Sequence, residues 1–201
     1  MQLCARFYAP QKGRILFNGV PMNEINPESL MSHISMVFQD VYLFQDTIRN
    51  NIRIGKTEAT EEEIIATAKK ACCHDFIMRL PQGYDTMVGE GGCTLSGGEK
   101  QRISIARAML KDAQIILLDE ATASLDPENE VEVQKAIDTL IKGRTVIAID
   151  HRLKTIKGAD QIIVLDNGRI REKGTHETLM QAKGLYAQLW NIQEQISGWK
   201  L

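Results

Sequence analysis

Two neighbouring acids and a pair of glycines are the residues of this chain best suited to handle phosphate and a divalent cation. Asp119 and Glu120 follow the aliphatic run 115–118, at the end of a strand where ligands bind in open α/β sheets. One carboxylate can hold Mg²⁺ through water, and the next can accept a proton from an attacking water. A strand that simply ends in solvated acids is the structural alternative for this run taken alone.

An anion-binding pattern, LSGGEKQR at 95–102, stands just ahead of that strand. Gly97 and Gly98 permit close backbone approach, and the helix that follows them presents free N–H groups to an anion. Ser96 adds a hydroxyl donor. A Ser-Gly-Gly turn that only caps a helix would be favoured for these three residues alone. The full string beside the acidic strand favours phosphate and magnesium chemistry.

Short aliphatic runs alternate with helical patterns along the chain, which predicts an α/β architecture. The runs predicted as strands are 13–19, with a turn at Asn18-Gly19, 33–39, 114–120, 144–150 and 160–166. The last three are almost continuously aliphatic, which is typical of parallel strands buried on both faces. Asp126 as N-cap and Pro127 at the first helical position predict a helix after the third run. A helical insertion is predicted around residues 41–112 of a single domain spanning 1–201.

Composition limits the classes of partner. The formal net charge is −2 over 201 residues, so bulk electrostatics give no support for a nucleic-acid partner. The chain also contains no apolar run that approaches the length of a membrane span. We therefore expect a domain without a membrane span of its own.

These motifs together resemble the nucleotide-binding domain of an ATP-binding cassette (ABC) transporter over nearly the whole chain. Residues 96–102 resemble the signature motif of that family, and Asp119 and Glu120 its Walker B strand. SLD at 124–126 resembles the D-loop, Gln39 in VFQD the Q-loop, and His151 in DHRL the switch region. The strings VFQDVYLFQDTIRNNI and MVGEGG resemble the exporter branch, the latter with an X-loop at Glu90.

The resemblance implies a P-loop NTPase-like fold that uses ATP and Mg²⁺, and a head-to-tail dimer that encloses two ATP molecules. Asp119 would hold magnesium-bound water, Glu120 would deprotonate the attacking water, and His151 would contact the γ-phosphate. Gln39 would link the metal to the helical insertion and so to the membrane domain. The implied ATP-binding residues are Gln39, Ser96, Gly97, Gly98, Glu99 and Asp126, and the implied metal ligands are Asp119 and Gln39.

The same resemblance implies how the domain is assembled. Ser96, Gly97 and Gly98 would act on the nucleotide held by the other subunit, and Asp126 would act across the interface. The expected partners are a second nucleotide-binding domain and an ABC transmembrane domain, with no nucleic acid. The expected location is the cytoplasmic face of the cell membrane.

The glycine-rich phosphate loop G-x-x-x-x-G-K-[ST] is not found in the sequence. Gly55-Lys56-Thr57 is a poor match, because Asn50 occupies the position of the first glycine and no strand precedes it. The opening residues 1–15 resemble the end of the helix that follows that loop, so we expect the first strands and the loop to be missing. A fragment of a longer gene is favoured; a decayed copy, or a protein that completes a partner's site, are the alternatives.

Asp150 departs from the exporter pattern, in which a small residue usually precedes the switch histidine. Side chains alternate along a strand, so we expect Asp150 and His151 to face opposite ways and the site to stay intact. The leading interpretation is the ATPase domain of an exporter. The alternative is a catalytically silent module that supplies only the signature face; a soluble cassette ATPase of translation or DNA repair is the weaker third.

A polypeptide of these 201 residues alone is expected to bind ATP weakly and to hydrolyse little of it. It lacks the backbone cradle and the lysine that hold the β- and γ-phosphates. We expect a Kd above about 1 mM, which corresponds to roughly 4 kcal/mol of binding free energy. Isothermal titration calorimetry measures this, with circular dichroism as the control for folding. Stoichiometric micromolar binding would contradict the prediction.

Overall fold

The computed structural model describes residues 1–89, 93–122 and 125–198. The chain divides into two compact units, Met1–Ile149 and Asp150–Leu201. Within the described ranges, no helix combines the length and the apolar character that a membrane span requires.

The first unit is built on a parallel sheet, as the sequence predicts. Its strands are β1 (Leu16–Phe17), β2 (Val20–Pro21), β3 (Ile34–Val37), β4 (Asp46–Thr47), β5 (Met87–Val88), β6 (Ile115–Asp119) and β7 (Thr145–Ile149). The parallel sheet has the order β3-β6-β7. β1 and β2 pair in an antiparallel hairpin, and the predicted turn between them is confirmed by the positive φ angles of Asn18 and Gly19. β4 pairs with β5.

The helices of the first unit are α1 (Pro27–Ser32), α2 (Ile48–Arg53), α3 (Glu61–Lys70), α4 (His74–Arg79), α5 (Gly97–Lys111) and α6 (Pro127–Ile141). All of them except α4 begin after a residue whose side chain accepts a hydrogen bond from the first turn. Thr60 and Ser96 each form a capping box at the starts of α3 and α5. The predicted N-cap at Asp126 is confirmed, because its Oδ1 accepts from the Asn129 N–H at 3.0 Å.

Helices α2 and α3 pack against α5 through one apolar cluster, and a partly buried cation adds a second link to α2. Ile52, Ile64 and Ile103 are fully buried in that cluster. Arg107 Nε donates to the Asn51 carbonyl oxygen at 2.8 Å, and its Nη2 donates to Asn51 Oδ1 at 2.9 Å. Burial lowers the pKa of Arg107. The guanidinium fork therefore joins α5 to α2.

Gly55 and Lys56 of the Gly-Lys-Thr string have structural roles. A Cβ placed on Gly55 would lie 2.2 Å from the Arg107 carbonyl oxygen and 3.1 Å from the Lys111 nitrogen. Lys56 Nζ lies 2.5 Å from Glu63 Oε1 in an exposed ion pair. The glycine therefore permits close contact between the end of α2 and the backbone of α5.

The second unit corrects one predicted strand. Its elements are α7 (Leu153–Ile156), β8 (Ile162–Asp166), β9 (Arg169–Gly174), α8 (His176–Ala182) and α9 (Leu185–Gly198). The prediction of a parallel strand buried on both faces is wrong for 160–166, because β8 pairs antiparallel with β9 and Leu165 is 67% exposed. Asn167 and Gly168, both at positive φ, make the two-residue turn that joins antiparallel strands.

Strand β7 confirms the predicted parallel pairing but not the predicted burial. Ile147 is 43% exposed and Ile149 is 40% exposed. β7 is the last strand of the sheet within the described residues. One of its edges therefore pairs with no other strand in that part of the chain.

The close contact at Gly55 predicts a large cost for adding one methyl group. Gly55→Ala forces the methyl group into the backbone of α5, and overpacking of this kind lowers the free energy of unfolding by about 1–3 kcal/mol. Gly158→Ala is the matched control, because nothing lies within 4 Å of a Cβ at Gly158. Urea unfolding of the purified variants measures the difference. Equal stability of the two would show that the contact is not restrictive.

Candidate functional site

The two predicted acids lie where the central strand of the sheet ends. The middle of β6 is buried, with Ile116 at 0% and Leu117 at 1% exposure. Asp119 is its last residue, and Glu120 follows at a φ of +47°. The Glu120 N–H donates to the Ile149 carbonyl oxygen at 2.9 Å. Few non-glycine residues adopt a left-handed backbone, so this conformation needs support from its surroundings. The hydrogen bond to β7 supplies that support and fixes the turn that follows the strand.

Helix α5 begins with a capping box formed by two of the predicted ATP-binding residues. Ser96 Oγ accepts from the Glu99 N–H at 3.2 Å, and Glu99 Oε2 accepts from the Ser96 N–H at 2.8 Å. Gly97 and Gly98 are the first two residues of the helix. First-turn N–H groups have no carbonyl partner inside a helix and lie at its positive end. The start of α5 is therefore chemically suited to an anion.

Gly98 also lies against the start of α6. A Cβ on Gly98 would lie 2.4 Å from the Asn129 Cβ. The Asn129 Nδ2 donates to Asp126 Oδ2 at 2.7 Å, and its Oδ1 accepts from Arg102 Nη1 at 2.9 Å. Asp126, predicted to act across an interface, is thus linked through Asn129 to the signature helix. Sequence reasoning missed Asn129, although a side chain three residues after an Asp N-cap is a recognisable position.

Gln39 and Gly97, both predicted site residues, are brought together in one cleft. The cleft has a volume of about 240 Å³ and is lined by Gln39, Asp40, Val41, Gly97 and Lys100. Gln101, which is buried, donates from Nε2 to the Phe38 carbonyl oxygen at 3.2 Å. This bond holds the residue before Gln39 against α5. Gln101 is a second residue that sequence reasoning did not single out.

His151 belongs to the second unit, whereas Asp119 and Glu120 belong to the first. The His151 side chain is exposed. The carboxylate of Asp150 is engaged within its own loop: Oδ1 accepts from the Arg152 N–H at 2.7 Å, and Oδ2 accepts from Thr155 Oγ1 at 2.5 Å. Asp150 therefore has a structural role at the start of α7.

Two predicted motif residues, Glu90 and Ser124, lie outside the described residues. Within the described part of the chain, no three His, Cys, Asp or Glu side chains converge as a ready-made metal centre. Protein sites usually hold Mg²⁺ through one or two carboxylates together with water and substrate phosphates. Asp119 and the exposed Gln39 supply oxygens of the required kind.

Known proteins resemble this chain over almost its full length. The family model described as "ABC transporter" matches residues 1–123. An ATP-dependent lipid A-core flippase of Legionella pneumophila (strain Paris) is 52% identical over 192 residues, which cover 96% of this chain and 33% of the flippase. ABC transporter B family member 2 of Dictyostelium discoideum is 52% identical over 192 residues, covering 96% of this chain and 14% of that protein.

A solved structure agrees with these relatives. A bacterial Atm1-family ABC exporter with ATP bound matches with a TM-score of 0.88 at 47% identity, covering 96% of this chain and 34% of the exporter chain. The chain thus spans about a third of the length of the flippase and of the exporter. Together with the motifs placed above, these matches show that the chain belongs to the ABC transporter family, as a nucleotide-binding domain of the exporter type.

Proposed function

We propose that the protein carrying these residues hydrolyses ATP and uses the energy to move a substrate across a membrane. The observation that carries this proposal is the placement of Glu120. It follows Asp119 at the carboxyl end of the central parallel strand, and its backbone is held by the Ile149 carbonyl oxygen. A carboxylate so placed can accept a proton from a water directed at a phosphate.

In the first unit, some residues would bind Mg²⁺ and another would accept the proton of the attacking water. Asp119, through water, and Gln39 would hold Mg²⁺, which when bound neutralises charge on the phosphate oxygens. Glu120 would orient the attacking water and take its proton. His151, in the second unit, would contact the γ-phosphate. Phosphoryl transfer depends on such positioning and charge stabilisation, with little covalent chemistry for the protein to perform.

The start of α5 would serve the nucleotide held by a second nucleotide-binding domain. The Ser96 oxygen accepts from Glu99 in the capping box, so its hydroxyl hydrogen is still available to a phosphate oxygen. The Gly97 and Gly98 amides would add two further donors. Glu99 would act by holding this turn, and Asp126 by meeting the other domain at the start of α6.

The proposed partners are a second such domain and an ABC transmembrane domain, which would hold the protein at the cytoplasmic face of the cell membrane. The greater length of the flippase and the exporter supports this proposal, because two thirds of each lies outside the matched region. The net charge of −2 gives no support for a nucleic-acid partner.

A second candidate function is a silent cassette that completes a partner's ATP site through Ser96, Gly97 and Gly98. The absence of a G-x-x-x-x-G-K-[ST] string from the 201 residues favours it, as does the packing role of Gly55. ATP hydrolysis that depends on Glu120 would reject this candidate. Hydrolysis by a partner that requires Gly97 but not Glu120 would support it.

Removal of the Glu120 carboxylate is expected to stop hydrolysis while ATP still binds. Glu120→Gln keeps the shape of the side chain but cannot take a proton, so we expect kcat to fall about 10²–10⁴-fold. Phosphate release by the full-length protein in lipid vesicles measures kcat, and equilibrium ATP binding is measured in parallel. Glu58→Gln, at an exposed loop position, is the control. Full activity of Glu120→Gln would contradict the proposed role.

Alanine substitutions at the two signature glycines are expected to distinguish a role in phosphate binding from a role in helix packing. Gly98→Ala pushes against Asn129 and should lower the free energy of unfolding by about 1–3 kcal/mol. At Gly97 the nearest atom to a Cβ is Leu125 Cδ2, an ordinary 3.7 Å contact, so Gly97→Ala should leave stability unchanged or slightly raised. We expect Gly97→Ala nonetheless to lose ATPase activity, because its methyl group blocks the approach of a phosphate.

Chemical unfolding and phosphate release, measured on both glycine variants of the full-length protein, test this pair. Equal destabilisation by the two substitutions would refute the packing argument. Full activity of Gly97→Ala would refute the binding argument.

A further inference from the structure

The last described helix contacts the segment that carries the switch histidine. We propose that Gln193 on α9 is a positioning residue for His151, acting through the backbone of the loop. This inference rests on the proposed function, in which His151 contacts the γ-phosphate. Gln193, His151 and the contacts between them all lie within the second unit.

Both ends of the Gln193 amide bind the loop, one on each side of Arg152. The Nε2 donates to the His151 carbonyl oxygen at 2.5 Å, and the Oε1 accepts from the Leu153 N–H at 3.0 Å. An amide turned the other way would place a donor against a donor and an acceptor against an acceptor. The bonding pattern therefore fixes the amide, and the amide in turn fixes two backbone groups of the loop.

Helix α9 is anchored firmly enough to serve as a support. Tyr186 is 1% exposed and packs with Ile162 and Leu179 in the apolar cluster of this unit. Glu172 accepts from the N–H groups of Leu185 and Tyr186 at 2.5 and 3.0 Å, which satisfies two N–H groups of the first turn of the helix. The helix start is thereby tied to strand β9.

The position of Gln193 follows from the period of this helix. Tyr186, Trp190 and Gln193 are spaced four and three residues apart, which places them on one helix face. Trp190 packs on His176 with ring centroids 4.4 Å apart. Gln193 thus continues an aromatic stripe with one polar residue, at the point where the stripe reaches the loop.

The neighbouring contacts described here act on other groups of the loop. Lys154 and Glu194 form an ion pair at 2.8 Å, but their side chains are 58% and 48% exposed, and such surface pairs contribute little. Asp150 binds Arg152 and Thr155 and so organises the start of α7. Gln193 is the side chain that holds the His151 carbonyl itself.

Looser placement of His151 should slow hydrolysis more than it weakens ATP binding. A displacement of about 1 Å from a reacting group can cost 10²-fold in rate. We therefore expect loss of both hydrogen bonds to lower kcat roughly tenfold, with KM nearly unchanged. A residue needed only for folding would reduce the amount of active protein and leave the kinetics of the folded fraction as they were.

Hydrogen exchange tests the clamp without relying on catalysis. Gln193→Met keeps the length of the side chain and its packing but removes both hydrogen bonds. Peptides spanning 150–156 of the full-length protein should then exchange faster, because the Leu153 N–H loses its acceptor. Gln195→Met, at an exposed position on the same helix, is the matched control. Unchanged exchange in Gln193→Met would overturn the proposal.

A double-mutant cycle tests whether Gln193 acts through His151. In the wild-type background Gln193→Met should lower kcat about tenfold; in a His151→Ala background the same change should have almost no effect. Equal losses in both backgrounds, or a wild-type rate for the single variant, would overturn the proposal. Gln193→Asn, which shortens the amide by one methylene, is the second variant if Gln193→Met fails to fold.

The two experiments separate the failure of this inference from the failure of the proposed function. A wild-type protein that hydrolyses no ATP would overturn the proposed function and, with it, the role of Gln193 in hydrolysis. Active wild-type protein combined with a silent Gln193→Met change would overturn the inference alone.

Discussion

Helix α5 is the element on which the first unit depends, because neighbouring elements approach it closely along its length. Gly98 allows its first turn to contact Asn129, and Gly55 allows its last turns to contact the end of α2. Between these points, Gln101 and Arg107 donate to backbone carbonyls of Phe38 and Asn51. These contacts lie at both ends and in the middle of the helix, and together they define its depth and rotation.

This packing gives the proposed site a physical connection. At one side of α5, Gln101 binds the residue before Gln39; at the other, Arg102 binds Asn129, which binds Asp126. Energetic coupling needs a contiguous set of packed or hydrogen-bonded groups with two arrangements. Contiguous hydrogen-bonded groups run here from the segment of Gln39 to the start of α6, joined by α5. They link Gln39, proposed to hold Mg²⁺, with the start of α5, proposed to bind a phosphate.

The sequence predicts local features of this fold well and tertiary ones less well. The cap at Asp126 and the parallel strands could be read directly, because caps and aliphatic runs are written in consecutive residues. The antiparallel pairing of β8 was missed although its signal, Asn167-Gly168, is local. The left-handed backbone of Glu120 could not be predicted, since it depends on the Ile149 carbonyl oxygen, nearly thirty residues later in the chain.

The candidate site shows the same division. Gly98 was recognised as a residue that allows close approach to an anion. Its contact with Asn129 joins two helices and cannot be predicted from the string LSGGEKQR alone. Gln193 lies more than forty residues after His151, on a helix whose sequence indicates packing alone. Residues that position a site from a distant helix do not share a motif with it, and only the folded chain brings them together.

Several proposed site residues also stabilise the fold, and magnitudes distinguish the two roles. Ser96 and Glu99 form a capping box, and Asp126 caps α6; loss of such a cap costs about 1 kcal/mol. A domain that is stable by about 5–15 kcal/mol stays almost wholly folded after that loss. A hundredfold fall in rate corresponds to about 2.7 kcal/mol of transition-state stabilisation. A fall of that size in a cap variant that remains folded therefore reports on phosphate chemistry, because fraying of the helix would leave most molecules active.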